Sequence, residues 1–192
     1  MTRSTLTIRY SHKDPENSLC NTLVTHLFPI LVQLAQNILQ TSPTDAAGVT
    51  LQGTLLRLIV KAYKNSINHS LTPAHQAAES IVPWGQLLLT IVQRPVQAEL
   101  LPEDVEEREK HAWSKTKKWS LYALNRLFQR YGNPSQLPSN MAKTYKNFAD
   151  NFIVQFAPEI MKAYLGIAAR TVEGEWQAKK CSYYILNFFD DW

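Results

Sequence analysis

The chain has 192 residues, which is long enough to bury a core as a single domain. Its six glycines favour helices over β-sandwiches or barrels, and its two cysteines exclude a disulfide framework. The formal net charge of +4 is unevenly spread, so it does not by itself imply nucleic acid as a partner. The N-terminal residues lack the apolar core of a secretory signal, and no apolar run approaches the ~20 residues of a membrane span. We therefore expect no membrane partner.

The first half of the chain predicts three helices. Residues 18–41 form the first, in which Pro29 removes a backbone bond and an apolar stripe recurs at helical spacing: Leu19, Leu23, Leu27, Ile30, Leu34 and Ile38. Residues 46–68 form the second, whose apolar positions cover an arc wide enough to contact more than one neighbour. Its remaining, solvated side carries Arg57, Lys61 and Lys64. Residues 72–93 form the third, which the interior Pro83 would divide into two short helices.

The second half predicts three more helices with clear breaks between them. Residues 94–104 form a loop, and the fourth helix follows it and contains residues 113–132. Gly132 ends that helix and Pro134 prevents its continuation. The fifth helix spans residues 141–170, with Pro158 inside it, and the sixth begins at residue 175.

The positions of the prolines indicate a repeat. Pro29, Pro83 and Pro158 lie inside the first, third and fifth helices. An outer helix that carries a proline, followed by a broadly buried inner helix, is typical of HEAT-type hairpins. We therefore predict an all-α fold, a HEAT-type α-solenoid of about three antiparallel helix hairpins stacked in a right-handed superhelical segment.

The predicted organisation is one repeat segment over residues 1–192. Its parts are the tail of a preceding helix at 1–10, repeat one at 18–68, repeat two at 72–132 with an acidic insertion at 96–110, and repeat three at 141–192. The final residues are rich in aromatic side chains and lack the polar face of a terminal repeat. We therefore expect an internal segment of a longer solenoid.

The helix over residues 113–132 is the most informative, because its two faces differ in character. Trp113, Leu121, Leu124 and Leu127 lie on one side at the spacing of a core-facing stripe. The other side is aromatic and basic, and it consists of Lys115, Trp119, Tyr122, Arg126 and Arg130. In one interpretation its aromatic residues pack on a neighbouring helix of the array. In the other, the whole side is an interaction stripe for another protein.

A run of acidic residues lies just ahead of this helix. Six acids fall within residues 99–109, and they include Glu103, Asp104, Glu106 and Glu107. Such a run is usually a solvated loop or helix start, and its functional interpretation is the attraction of a basic partner. The basic residues of 111–131 leave three alternatives open: binding of RNA, binding of an acidic protein surface, or bracing of the acidic run.

No pattern of residues indicates catalysis. The chain has no glycine-rich phosphate loop, no G-x-S-x-G elbow and no zinc spacing among its histidines and cysteines. We therefore predict no catalytic residue, no metal and no cofactor. Asp190 and Asp191 distantly suggest a metal-dependent lyase, but the second metal-binding segment that such enzymes need is absent from the sequence.

The segment around the fourth helix resembles a known family. Trp113, Lys117-Lys118-Trp119 and Arg130-Tyr131-Gly132, with Thr90–Val96 upstream, are similar to the importin-β superfamily and most similar to its importin seven and importin eight branch. The resemblance covers nearly the whole chain and is most specific from Arg94 to Gly132.

This resemblance implies a HEAT solenoid that carries cargo through the nuclear pore under Ran-GTP control, without catalysis. It implies basic cargo proteins, such as ribosomal proteins and histones, and the Ran GTPase on the concave surface of the full-length receptor. It implies phenylalanine-glycine nucleoporins on the convex surface, and shuttling between nucleus and cytoplasm. The fourth helix would then lie on the concave surface.

A different class of function is a stand-alone helical-repeat module that binds RNA or protein. The acidic run beside the basic stripe argues against RNA, because phosphates are repelled by carboxylates. We therefore expect no direct binding of nucleic acid.

Overall fold

The computed structural model describes residues 19–69 and 73–131, and beyond them Asp150, Phe152, Phe156, Pro158 and Glu159. Within these ranges, the side chains of residues 19, 20, 69, 73, 76 and 128–131 are not described. Helices dominate the described residues, and no strand occurs among them. Of the predicted third hairpin at 141–192 only five residues from 150 to 159 are described, and the helix tail at 1–10 lies outside the described residues, so both remain predictions.

Six α-helices and one 3-10 turn follow one another along the described chain. They are α1 (Leu19–Gln40), α2 (Ala46–His69), α3 (Pro73–Gln76), α4 (Ala78–Gln93), the 3-10 turn (Ala98–Leu100), α5 (Val105–Lys110) and α6 (Ala112–Tyr131). The first two match the predicted helices within one residue at either end. The predicted third helix is broken, but the break lies at Ala77 and not at Pro83, which sits inside α4. The predicted fourth helix is also broken, at His111 between α5 and α6.

The helices form two hairpins that stack side by side, so that each hairpin contributes one helix to each of two layers. In one layer α1 packs on α4, in the other α2 packs on α6, and the contacts between layers are made by α1 with α2 and by α4 with α6. The first hairpin is therefore α1–α2 and the second is α4–α6. The interface between α2 and α6 is the most extensive of all. This is the arrangement of a HEAT-like solenoid, which confirms the predicted fold class for the hairpins that the structure describes.

The buried face of α1 differs from the predicted one. Leu23, Leu27, Ile30 and Leu34 are exposed, and Ile30 exposes 63% of its surface. The buried residues lie about one position further along the chain: Val24, Phe28, Val32, Ala35 and Leu39. The prediction was wrong because α1 has two apolar stripes, and nothing within the helix marks which of them meets its hairpin partner.

The second helix shows the same division. Leu56, Ile59, Val60, Tyr63 and Ile67 are buried, whereas Leu51, Leu55 and Leu58 are exposed. By helical spacing the exposed leucines of α1 and α2 lie on the flank that turns away from α4 and α6. Solenoid units bury such a flank against a neighbouring unit, so this leucine flank fits the predicted stacking.

The first helix also meets a test of length and apolar composition for a membrane span, over Asn21–Gln40. The expectation that no run approaches that length is wrong by this measure. However, one side of α1 is buried against protein, where Phe28 touches the rings of Tyr63 and Trp84. This packing favours a helix of the hairpin over a membrane-spanning one.

A cluster of rings joins the two hairpins. The rings of Tyr63 and Trp84 stack with centroids 4.0 Å apart, and Phe28 meets Trp84 edge-on at 5.5 Å. His75, on the short α3, meets Phe28 edge-on at 5.9 Å, and its Nε2 lies 2.8 Å from the hydroxyl of Ser66. The cluster therefore ties α1, α2, α3 and α4 into one core.

The interface between α2 and α6 depends on a glycine. A Cβ placed on Gly53 would lie 2.8 Å from Cδ1 of Trp113 and 2.9 Å from its backbone nitrogen. The hydroxyl of Thr116 donates to the carbonyl oxygen of Gly53 over 3.0 Å. Only a residue without a side chain lets the two helices approach this closely.

Polar side chains hold the ends of the hairpins together. Arg94, after α4, donates to the carbonyl oxygens of Leu39 and Thr41 at the end of α1. Gln52 donates to the carbonyl oxygen of Ile38 at 2.8 Å and to that of Thr41 at 2.9 Å. These bonds supply donors to carbonyls at and just after the C-terminus of α1. Those of Arg94 join the second hairpin to the first, whereas those of Gln52 join α1 and α2 within the first hairpin.

We expect Gly53→Ala to lower the free energy of unfolding by up to about 2 kcal/mol. Overpacking costs about 1–3 kcal/mol, and the upper part of this range applies because the new Cβ would meet backbone; the ~1 kcal/mol that alanine gains over glycine inside a helix is subtracted from it. Urea unfolding followed by circular dichroism measures the change. The matched control is Gly48→Ala, also in α2, where the atoms nearest to the new Cβ would be Pro43 Cβ at 3.1 Å and Asp45 Oδ1 at 3.3 Å. If the two variants were equally stable, the close approach of α2 and α6 would be wrong.

The buried His75 predicts a dependence of stability on pH. Burial lowers the pKa of His75 from 6.5 to about 4. The unfolded chain therefore binds the proton more readily, so the stabilisation by neutral His75 is complete above pH 6.5 and is lost as the pH falls towards 4. The expected loss is about 3 kcal/mol over that window.

Urea unfolding at about pH 7 and at about pH 4.5 tests this expectation. His75→Gln keeps a polar group beside Ser66 but does not titrate, so its stability should change less between the two values. An equal change in both proteins would contradict the assignment of the pH dependence to His75.

Candidate functional site

The two helices of one layer carry only one sign of charge. α2 contains three lysines and arginines and α6 contains five, and neither helix contains an aspartate or glutamate. Like charges on neighbouring helices repel each other, so this composition costs stability unless something offsets it. A concentration of charge that does not serve the fold is typical of a binding surface.

Contacts between cations and rings join α2 to α6. The Nζ of Lys64 lies 5.2 Å from the ring centroid of Trp119 and 5.2 Å from that of Tyr122. The Nζ of Lys61 lies 5.7 Å from the ring centroid of Trp119. Each contact is within the ~6 Å at which a ring attracts a cation. Two positive charges are thus held close together by aromatic rings instead of by carboxylates.

These residues define a continuous surface that we call the basic–aromatic face. Arg57, Lys61 and Lys64 recur along α2 at one helical stripe, and a second stripe recurs along α6. The contacts of Lys61 and Lys64 bring the two stripes together. The members of the face are Arg57, Lys61, Lys64, Lys115, Trp119, Tyr122 and Arg126.

Four of the predicted contact residues are half-buried on α6, namely Lys115, Trp119, Tyr122 and Arg126. Trp119 packs partly against the core and also meets the lysines of α2, so its packing on a neighbouring helix is confirmed. Arg130 lies in α6, but its side chain is outside the described residues. The opposite side of α6 is buried as predicted at Trp113, Leu121, Leu124 and Leu127.

Sequence reasoning assigned Arg57, Lys61 and Lys64 only to a solvated side of their helix. The contribution of the two lysines depends on a ring far along the chain, because Trp119 lies 55 residues after Lys64 and 58 residues after Lys61. No periodicity within α2 reveals such a neighbour. One signal was available, because α2 and α6 both lack acids throughout their length.

Arg126 belongs to the face and carries a hydrogen-bond donor that no described acceptor uses. Its Nε is buried and has no hydrogen-bond partner in the part of the chain that the structure describes. A buried guanidinium donor without an acceptor costs free energy. An acceptor supplied by a bound partner would remove that cost.

The acidic run lies apart from this face. Glu103, Asp104, Glu106 and Glu107 are all exposed. Asp104 accepts from the backbone N–H of Glu107 at 2.9 Å and so caps α5. Glu106 pairs with Lys110 over 3.7 Å on the same helix, and no acid of the run forms an ion pair with Arg57, Lys61, Lys64 or Arg126 within the described residues. The acids therefore do not brace these four cations.

The junction between α5 and α6 is fixed by a histidine. The Nδ1 of His111 accepts from the backbone N–H of Trp113 at 3.3 Å, and its Nε2 lies 3.1 Å from the hydroxyl of Thr50. This arrangement uses neutral imidazole with its proton on Nε2. Burial lowers the pKa of His111, which favours that neutral form. His111 thereby positions the start of α6 against α2.

Among the described residues, no group of histidine, cysteine, aspartate or glutamate side chains could hold a metal ion. The absence of a metal and of catalytic residues stays a prediction, and Asp190 and Asp191 lie outside the described residues.

Comparison with curated proteins connects this fold to transport receptors. The chain is 33% identical over 190 residues to nonsense-mediated mRNA decay protein 5 of Saccharomyces cerevisiae, which covers 96% of this chain. It is 29% identical over 160 residues to importin-8 of Mus musculus and 30% identical over 162 residues to the importin beta-like SAD2 homolog of Arabidopsis thaliana, each covering 83% of this chain. The chain belongs to the importin-β superfamily.

The importin resemblance found in the sequence is thereby confirmed, including its likeness to the branch that contains importin-8. The chain spans only 15–17% of the length of these relatives. No protein-family model and no solved structure matches it. The names of the matching importins fit the prediction that the chain is not an enzyme.

We expect the charge–ring contacts to be measurable as a coupling energy. In a double-mutant cycle, Lys64→Gln and Trp119→Leu should show about 0.5–1 kcal/mol of coupling, because each substitution removes the same interaction. Urea unfolding of the four proteins measures it. The control cycle combines Trp119→Leu with Lys110→Gln, a lysine that pairs with Glu106 on α5, and should show coupling near zero. Equal values in both cycles would contradict the contacts.

Proposed function

We propose that this importin-family chain acts as a segment of a nuclear import receptor, a protein-binding scaffold without catalytic activity. The observation that carries the proposal is its similarity to importins over most of its length. The layered hairpins support it, because stacked helix pairs present long continuous surfaces on which other proteins can lie. The segment would work within a longer receptor and shuttle between nucleus and cytoplasm.

We assign basic cargo proteins, such as ribosomal proteins and histones, to the acidic run. Glu103, Asp104, Glu106 and Glu107 are exposed on and just before α5, where a basic partner can reach them. Charges of opposite sign accelerate association and make it sensitive to salt. Binding and release of the cargo would be controlled by Ran-GTP through the complete receptor.

We assign phenylalanine-glycine nucleoporins to the layer formed by α1 and α4. A groove of about 270 Å³ lies between α1 and α4, and Pro29, Val32, Pro83 and Trp84 are among the residues that line it. Its partly apolar lining, between two neighbouring helices, is suited to an inserted aromatic side chain. The carriage of cargo and the contact with the pore would thus use different parts of the surface.

A chimera tests the assignment to nuclear import. In mouse importin-8, the segment that matches this chain over 160 residues is replaced by the chain. The chimera should bind a core histone and release it on addition of Ran-GTP, because the segment would supply the same surfaces. Binding is measured by fluorescence anisotropy with labelled histone. A folded chimera whose histone binding ignores Ran-GTP would contradict the proposal.

Neutralising the acidic run in the same chimera tests the assignment of cargo. The combined change Glu103→Gln, Asp104→Asn, Glu106→Gln and Glu107→Gln should weaken histone binding by about tenfold and flatten its dependence on salt. Asparagine at position 104 still caps α5, so the helix should persist. The control is Glu79→Gln, which removes an exposed acid from α4. Equal effects of both changes would exclude the acidic run as the cargo contact.

A further inference from the structure

We infer that the basic–aromatic face is a docking site for an acidic, extended segment of another protein. The inference goes beyond nuclear import and does not rest on it, because it concerns a partner of opposite charge to the basic cargo. It follows from three properties of the face: its charge, the state of its aromatic rings, and its length.

The first property is uncompensated charge. Arg57, Lys61, Lys64, Lys115 and Arg126 lie on two helices that contain no acid. Arg57, Lys61, Lys64 and Arg126 have no ion pair within the described residues. Carboxylates from a partner would therefore gain attraction here without first displacing carboxylates of this chain. The buried Nε of Arg126 adds a donor that no described acceptor uses.

The second property is the state of the aromatic rings, which favours a protein segment over RNA as the partner. Proteins bind single-stranded RNA with basic grooves in which bases stack on free aromatic faces. Here Lys61 and Lys64 lie over the ring of Trp119, and Lys64 also lies over the ring of Tyr122. The rings therefore hold the lysine ammonium groups in place, and ammonium groups attract the carboxylates of a protein partner. A base could stack on these rings only by displacing a lysine.

The third property sets the size of the partner. Lys115 and Arg126 are 11 residues apart on α6, which corresponds to about 17 Å along the helix axis. An extended peptide covers that distance with about five residues at roughly 3.3 Å each. A partner segment of about five or six residues, most of them acidic, would match the length of the face.

The test uses the 192-residue chain and a fluorescein-labelled peptide of about ten glutamates, with a polyuridine RNA of equal length as the competing class. Anisotropy titrations are performed at several salt concentrations. We expect the peptide to bind, with an affinity that falls steeply with salt, and to bind more tightly than the RNA.

The variant that removes the face is Lys61→Gln, Lys64→Gln and Arg126→Gln, and it should bind the peptide at least about tenfold more weakly. Lys61→Arg with Lys64→Arg keeps the charge and should retain binding. Lys110→Gln removes an exposed lysine from α5 and should also retain it. Circular dichroism of each variant establishes that it is folded, and the Arg and Gln variants together distinguish loss of charge from loss of structure.

Two outcomes would overturn the inference. If the RNA bound more tightly than the peptide and depended on the same three residues, the face would be a nucleic-acid site. If the folded chain bound neither probe, or lost the peptide equally in Lys110→Gln, the face would not be a docking site for acids. Neither outcome affects the histone-binding test in the importin-8 chimera, so failure of one proposal leaves the other standing.

Discussion

The approach of α2 to α6 at Gly53 is the constraint on which the other features depend. Because Gly53 has no side chain, Trp113 and Thr116 lie directly against the backbone of α2. The two helices are therefore close enough for lysines of one to reach rings of the other. The basic–aromatic face depends on this spacing, since a wider interface would separate Lys61 and Lys64 from the ring of Trp119.

Charge is separated within the described chain in a way that packing does not require. Acids gather before α6 and on α5, and the inner helices α2 and α6 carry bases alone. Keeping like charges together costs free energy, which the ring contacts of Trp119 and Tyr122 only partly offset. A scaffold with two such regions can hold partners of opposite charge at different places. This is the physical reason why we propose the acidic run for basic cargo and the basic–aromatic face for an acidic partner.

Several features were predictable because their causes are local. The end of α1 and the start of α2 follow from the loop that contains Pro43 and Asp45, and the core side of α6 follows from the spacing of its apolar residues. The breaks at Ala77 and His111 were not predicted. Pro83 has the stronger local signal, yet it lies inside α4, which begins five residues before it, and the helix continues at the cost of one backbone hydrogen bond. The bond of His111 to Thr50, 61 residues earlier, depends on tertiary structure.

The sequence by itself determined the helical class, the positions of most helices, the candidate stripe on α6 and the resemblance to importins, because periodicity, capping and motifs are written in neighbouring residues. The tertiary structure alone decided which of the two apolar stripes of α1 is buried. It also decided that Lys61 and Lys64 join Trp119 in one face. Both outcomes depend on which helix lies beside which, and that choice is made by contacts between residues distant in the chain, such as Gly53 with Trp113.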